Sequence, residues 1–233
     1  MMGPIYQEPS LAGRLGVFRD RDEAGSVCAE LLKRHPGLYD GALCGAVPSG
    51  GVAVAGPIAR ELALPVTLLV ARKVQVPGNT EFGMGAVAWD GRVILDRPLI
   101  AALGLGPTAV ETAVEAARTS VAERLARFLG KRRMPDLKGR RLLVVDDGLA
   151  GGSTALAVLG ALRAAGAGPL VTVVPTGHDR TVAMIAASSD AVVCPNVRGG
   201  DRFAVAGAYR SWRDLTADEV AALLDELAAD GLF

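Results

Sequence analysis

Short apolar runs alternate with helical periodicities along most of this chain. Between residues 21 and 35, Ala24, Val27, Cys28, Leu31 and Leu32 recur at three- and four-residue intervals. Asp20 precedes them and is suited to cap the first turn, so the spacing predicts an amphipathic helix over 21–35. Residues 42–47 form a continuous apolar run, 48–51 carry turn residues, 52–62 return to helical spacing, and 66–70 form a second apolar run. That order predicts a βαβ unit.

The pattern recurs downstream. Residues 142–145 read as a buried strand that passes through glycines into a helix over about 154–165, and 170–174 read as the returning strand. A helix near 181–187 then leads to a strand at 191–194. Between the two units, Val110, Val114, Ala117, Val121 and Leu125 line one face of a helix over 108–129. Thr108 and Glu111 have the spacing of a capping box there. Thr216 and Glu219 repeat that spacing ahead of Val220, Leu223, Leu224 and Leu227. The expected fold is α/β: a parallel sheet with helices on both faces, in one domain over 1–233, with a helical insertion at 106–130.

Composition narrows the function. The 233 residues are 50% hydrophobic, enough for a sizeable core without disulfide or metal support. Lys plus Arg and Asp plus Glu both number 25, so nothing predicts general attraction to nucleic acid or to an anionic membrane. Apolar stretches are interrupted before the roughly 20 residues needed to span a bilayer. The first residues lack the basic and apolar blocks of a secretory signal, and the expected location is cytoplasmic. Cys28, Cys44 and Cys194 are widely spaced in apolar surroundings and read as reduced core residues.

The segment RLLVVDDGLAGGST, residues 141–154, concentrates the chemistry. An apolar strand ends in Asp146 and Asp147, at the carboxyl end where ligands gather in open α/β sheets. Carboxylates there accept hydrogen bonds from vicinal hydroxyls or join a magnesium shell. Gly151 and Gly152 let backbone approach a ligand, and the following helix presents free N–H groups and a positive dipole end to an anion. Ser153 and Thr154 add hydroxyl donors. Diol acceptors followed by an anion cradle fit a sugar phosphate; the same residues also fit an ordinary strand-to-helix turn. The lysine of a Walker A loop is missing.

VVDDGLAGGST resembles the 5-phosphoribosyl 1-pyrophosphate motif of the type I phosphoribosyltransferases. The succession VPSGGVAVA, ARKVQVPGNTEFGMGAV and VVDDGLAGGST is similar to members of that family whose substrates are largely unassigned, and it covers most of residues 15–225. The resemblance implies the type I phosphoribosyltransferase fold, a homodimer and magnesium-dependent transfer of phosphoribose to a small nitrogenous acceptor with release of pyrophosphate. A non-catalytic sensor of phosphoribosyl pyrophosphate is the alternative.

By the same resemblance Asp146 and Asp147 would bind the ribose hydroxyls, and Ala150, Gly151, Gly152, Ser153 and Thr154 the 5-phosphate. Ser49, Gly50 and Gly51 would receive pyrophosphate. Arg72 and Lys73 would add its positive charge and, with Asp147, serve catalysis. Residues 74–86 read as a mobile loop after a third strand, with Glu81 open to several roles.

Several positions depart from the family pattern. Relatives commonly have Arg where Ser49 stands and Thr where Gly151 stands. Ala150 replaces an acidic residue of the purine enzymes, and Val174, Pro175 and Thr176 occupy the place of their lysine. Asp201 and Phe203 match an acidic and an aromatic position of those enzymes. His178 reads as a loop histidine or as a residue facing the acceptor. Trp89, Tyr209 and Trp212 read as packing residues.

Overall fold

A computed structural model describes residues 2–130 and 132–233, with side chains described for all of these except 80–82. Glu81 therefore lies outside the described side chains. The first half runs β1 (Ile5–Tyr6), α1 (Arg21–Lys33), β2 (Leu43–Ala46), α2 (Gly50–Leu62), β3 (Val66–Leu68), β4 (Ala71–Val76), β5 (Asn79–Ala88), β6 (Val93–Leu95), α3 (Arg97–Ala102) and α4 (Pro107–Leu129). It continues with β7 (Leu142–Val145), α5 (Ser153–Ala164), β8 (Leu170–Val173), β9 (Thr176–His178), α6 (Asp179–Ala186), β10 (Ala191–Val193), β11 (Asn196–Arg198) and α7 (Ala217–Ala229).

The main sheet has six strands in the order β1-β10-β8-β7-β2-β3, and every pairing in it is parallel. Successive side chains of a strand point to opposite faces. Cys44, Ala46, Leu143 and Val145 accordingly enter a core with α1, α2, α4 and α7, while Leu43, Leu142 and Val144 pack with α5 and α6. Burial on both faces explains why these strands read as continuous apolar runs.

Strand order fixes where a site can form. The chain runs outward from β2 to β3 at one edge, and from β7 through β8 and β10 toward the other. The two halves diverge between β2 and β7, which are paired from Leu43↔Leu142 to Ala46↔Val145. A reversal of this kind opens a crevice at the carboxyl ends of the two strands. The Ser49 turn leaves one of them and the Asp146 turn leaves the other.

The segment expected to be mobile is ordered as an antiparallel sheet, β4-β5-β6. Val74 and Met84 supply buried positions, and Gly78, at φ +79, turns the chain between β4 and β5. Arg72 and Lys73 thus stand within β4 instead of trailing the third main strand. Ala86 and Ala88 pack on Ala157 and Ala161, small residues that let this sheet lie close against α5. This sheet and α4 follow one another between β3 and β7 in the chain, with α4 closing the side opposite α5.

Helix ends agree with the sequence in part. Thr216 and Glu219 make the full capping box of α7, and Asp20 caps α1. The Thr108 and Glu111 pair does not cap α4: Gly106 is its N-cap and Pro107 opens the helix, a position where the missing N–H of proline costs nothing. No helix among the described residues is long and apolar enough to cross a membrane.

Leu143 is fully buried at the centre of the sheet. Leu143→Ala should lower unfolding free energy by about 2–5 kcal/mol. In urea titrations it should move the midpoint and leave the slope unchanged.

Candidate functional site

Asp146 and Asp147 follow β7 directly. The Asp147 N–H donates to Asp146 Oδ1 at 2.8 Å, so the two carboxyl groups share one turn. Asp147 Oδ2 accepts from Arg21 Nε at 2.8 Å, with side-chain exposures of 18% and 10%. Burial and the neighbouring Asp147 charge push the Asp146 carboxyl well above the usual carboxylate range. Burial raises Asp147 as well, against the opposing pull of Arg21.

A second layer holds this pair. Arg21 Nη1 donates to the Arg213 carbonyl at 2.9 Å, and its guanidinium lies 3.8 Å from the centre of the Trp212 ring. The Tyr209 hydroxyl donates to the Asp147 carbonyl at 2.7 Å, and the Tyr209 ring packs at a tilt against Phe18 and Trp212. Tyr209 and Trp212 are thus packing residues as expected, with the added consequence that they fix the acidic turn.

The Ser49 turn meets the acidic turn across the crevice. A Cβ at Gly50 would overlap the Asp147 carboxylate and approach Arg21 Nε at 3.0 Å, and one at Gly51 would run into the Val145 carbonyl. Only glycine allows the start of α2 to come this close. The peptide between Pro48 and Ser49 is cis. The hydroxyl of Ser49 accepts from Arg124 Nη1 of α4 at 3.1 Å.

Residues 150–154 form the other rim. Ser153 begins α5, and Gly152 is its N-cap at φ +79, packed under Thr181 and Met184. The first-turn N–H groups have no partner one turn back and face outward from the helix end. The Ala150 carbonyl accepts from Thr181 Oγ1 at 2.5 Å. The Leu149 N–H donates to the Thr176 carbonyl and the Leu149 carbonyl accepts from the His178 N–H, which fixes the rim to β9.

The candidate cations separate. Neighbours in a strand point to opposite faces. Arg72 shares the α4 side of β4 with Val74, whereas Lys73 shares the other side with Ala71, and its stem lies where a Cβ at Gly83 would sit. Both border a cavity of about 610 Å³ between the β4-β5 hairpin and α4. Arg72 and Arg124 are half-buried; burial lowers the pKa of each, and the Arg72 charge lowers Arg124 further.

Among the described residues no cluster of three or more His, Cys, Asp or Glu could hold a metal. The acidic pair does suit a cation that arrives with phosphate ligands of its own, because magnesium keeps waters and takes one or two protein carboxylates. The three thiols are buried, and burial pushes Cys44 and Cys194 up to about 12, which leaves them inert. His178 is mostly buried, in contact with Asp179 at 3.2 Å and edge-on to Phe203.

Sequence reasoning missed Arg21 and Arg124. A signal existed for each: Arg21 places a cation in the first turn of α1, where the helix dipole disfavours it. Arg124 interrupts the apolar stripe of Ala117, Val121 and Phe128.

The raised Asp146 pKa has a signed consequence. A carboxyl whose folded pKa lies above its unfolded value costs stability as pH rises through the folded value. Asp146→Asn should therefore raise the melting temperature near pH 8, by about 2–4 °C for each kcal/mol recovered, with the gain vanishing near pH 4. Calorimetric melts of both proteins across that range check the sign.

The profile of the phosphoribosyl transferase domain matches residues 46–198. Rv0571c of Mycobacterium tuberculosis, provisionally named a phosphoribosyl transferase, is 36% identical over 215 residues, covering 92% of this chain and 48% of that protein. The chain thus spans about half the length of the curated relatives it matches. The crystal structure of TT1426 from Thermus thermophilus superposes with a TM-score of 0.72 at 32% identity, over 90% of this chain and 98% of that one. With the matched domain covering the Ser49 turn, the acidic turn and the glycine turn at 150–154 together, the chain belongs to the phosphoribosyl transferase family.

Proposed function

We propose that the crevice binds 5-phosphoribosyl 1-pyrophosphate and that the chain transfers its phosphoribosyl group to a small nitrogenous acceptor, releasing pyrophosphate. The observation that carries this reading is the meeting of three chemically distinct turns at the divergence of β2 and β7. Acidic Asp146 and Asp147 suit the ribose diol, the start of α5 at Ser153 suits the 5-phosphate, and the Ser49–Gly51 turn suits pyrophosphate.

Each part has one task in that reaction. Asp147, oriented by Arg21, and Asp146 accept hydrogen bonds from the 2- and 3-hydroxyls and favour the positive character that grows on the ribose. Ala150, Gly151, Gly152, Ser153 and Thr154 hold the 5-phosphate. The backbone of Gly50 and Gly51, the Ser49 hydroxyl and the Arg72 guanidinium receive the negative charge that develops on the leaving group; Lys73 adds charge at the cavity mouth. Magnesium, carried on pyrophosphate and bordered by Asp146 and Asp147, would neutralise further phosphate charge. The same reading takes the protein as a cytoplasmic homodimer built on one domain.

Titration calorimetry with phosphoribosyl pyrophosphate and magnesium should give saturable binding, and lack of heat at any concentration would refute the reading. Asp147→Asn should weaken that binding tenfold or more. Because the raised Asp146 carboxyl must lose its proton to accept from a diol or border a cation, affinity should rise with pH through that transition and binding should release protons. Calorimetry in buffers of different ionisation enthalpy counts them. Release of pyrophosphate with one member of a panel of nitrogenous bases separates the transferase from a sensor that binds without turnover.

A further inference from the structure

After β6 the short helix α3 and the start of α4 meet in an elbow whose shape is fixed by hydrogen bonds. The Leu105 N–H donates to the Ile100 carbonyl at 3.2 Å and the Gly104 N–H to the Ala101 carbonyl at 3.1 Å. With Gly104 in the left-handed region, at φ +64, these two bonds close α3 as a Schellman turn. At its other end Asp96 caps α3 by accepting from the Leu99 N–H at 3.0 Å. Between the two helices lies a groove of about 500 Å³. Its floor is apolar: Leu95, Ile100, Leu105 and Val110 pack against the core from below and stay only partly buried. Leu103, in the turn of the elbow, is 44% exposed.

The two walls carry opposite charges. Arg97 opens α3 and Glu111 stands on α4; both are exposed, and neither has an ion-pair partner among the described residues. An ordinary solvated surface accounts for two free charges. It does not account for the open apolar floor between them, which stays wet at a cost of about 25 cal/mol for each Å². A wholly acidic or wholly basic partner would match one wall and set like charge against the other. A second copy of the chain matches both. Two-fold symmetry brings Arg97 of one copy to Glu111 of the other and forms the reciprocal contact at the same time.

We propose that the α3–α4 elbow is the face through which two copies of this chain associate. The apolar floor and Leu103 form the dry centre of the contact, and two reciprocal Arg97–Glu111 pairs form its rim and set its register. The groove and Arg124 lie toward opposite ends of α4, about 20 Å apart along the helix axis. Association through the elbow therefore leaves the crevice open, and the two can be measured separately. The homodimer itself belongs to the proposed function; the choice of this face rests on the elbow alone.

Sedimentation equilibrium of the full chain without ligand, over a range of protein concentrations, tests this. The wild type should be a dimer, and Leu103→Glu should be a monomer at concentrations where the wild type is not. Arg97→Glu and Glu111→Arg should each raise the dissociation constant about tenfold, because each reversal puts like charges together at both ends of the contact. The double variant Arg97→Glu with Glu111→Arg should return close to the wild-type value, since every reversed charge again meets its opposite. Thermal melts show whether each variant is folded; all three substituted side chains are exposed, and the double variant keeps the comparison open if one single variant unfolds. A dimer indifferent to Leu103→Glu and to both reversals, or a double variant as weak as the single ones, would overturn the interface and leave the homodimer in place. A wild type that stays monomeric at every concentration overturns both, while calorimetry with phosphoribosyl pyrophosphate still decides the ligand.

Discussion

Arg21 and Asp147 are separated by 126 positions in the chain and meet at 2.8 Å beneath the crevice. Removing one partner of such a pair leaves a buried charge uncompensated, a loss of about 3–5 kcal/mol. The pair therefore ties α1 to the end of β7. Because Gly50 packs directly on both side chains, it also determines how closely the start of α2 can approach. The C-terminal segment joins through the Arg213 carbonyl, the Tyr209 hydroxyl and the Trp212 ring. One ion pair thus coordinates four stretches of chain that sequence order keeps far apart.

The balance of charge across the crevice follows from this anchoring. Arg21 compensates only part of the acidic turn: Asp146 remains displaced toward its protonated form by burial and by its neighbour. Arg72 of β4 and Arg124 of α4 are half-buried cations on other elements, and burial lowers the pKa of both. Charges separated in this way on different elements explain why a formal net charge of zero is uninformative about the site.

Much of the frame was legible because its signals are local. β2, β7, β8 and β10 are apolar runs bounded by turn residues, and the capping box of α7 is a four-residue pattern. The acidic turn and the glycine turn at 150–154 were legible as turns for the same reason. The β4-β5 hairpin was not, because its Gly- and Pro-containing stretch looks like a loop until antiparallel pairing and the cover of α4 and α5 are supplied. Arg72 and Lys73 illustrate the same limit: adjacent in sequence, they read as one cationic unit, yet strand geometry sends them to opposite faces. Arg21 and Arg124 stand out locally as misplaced charges, but the partners that explain them lie 126 and 75 positions away.

The two glycines of the cradle carry different constraints. Gly152 has a left-handed φ of +79, and a Cβ there would press on Met184 and Thr181, so backbone and packing both require glycine. Gly151 has neither restriction: a Cβ at that position meets nothing within 4 Å. The threonine that the resemblance places at 151 would thus fit without rearrangement, and packing does not explain its replacement. Under the proposed function, the missing hydroxyl would leave the 5-phosphate to the backbone N–H groups and to Ser153 and Thr154. Ser49 presents the converse case. The side chain there is short, and the space beside it is reached by Arg124 from a helix that the turn's own sequence says nothing about. Loss of a cation within a turn and arrival of one from across the crevice leave the local charge similar while changing which element must be in place for the site to be complete. The position of α4, and with it the β4-β6 sheet it packs against, thus bears on the Ser49 turn through the Arg124 contact.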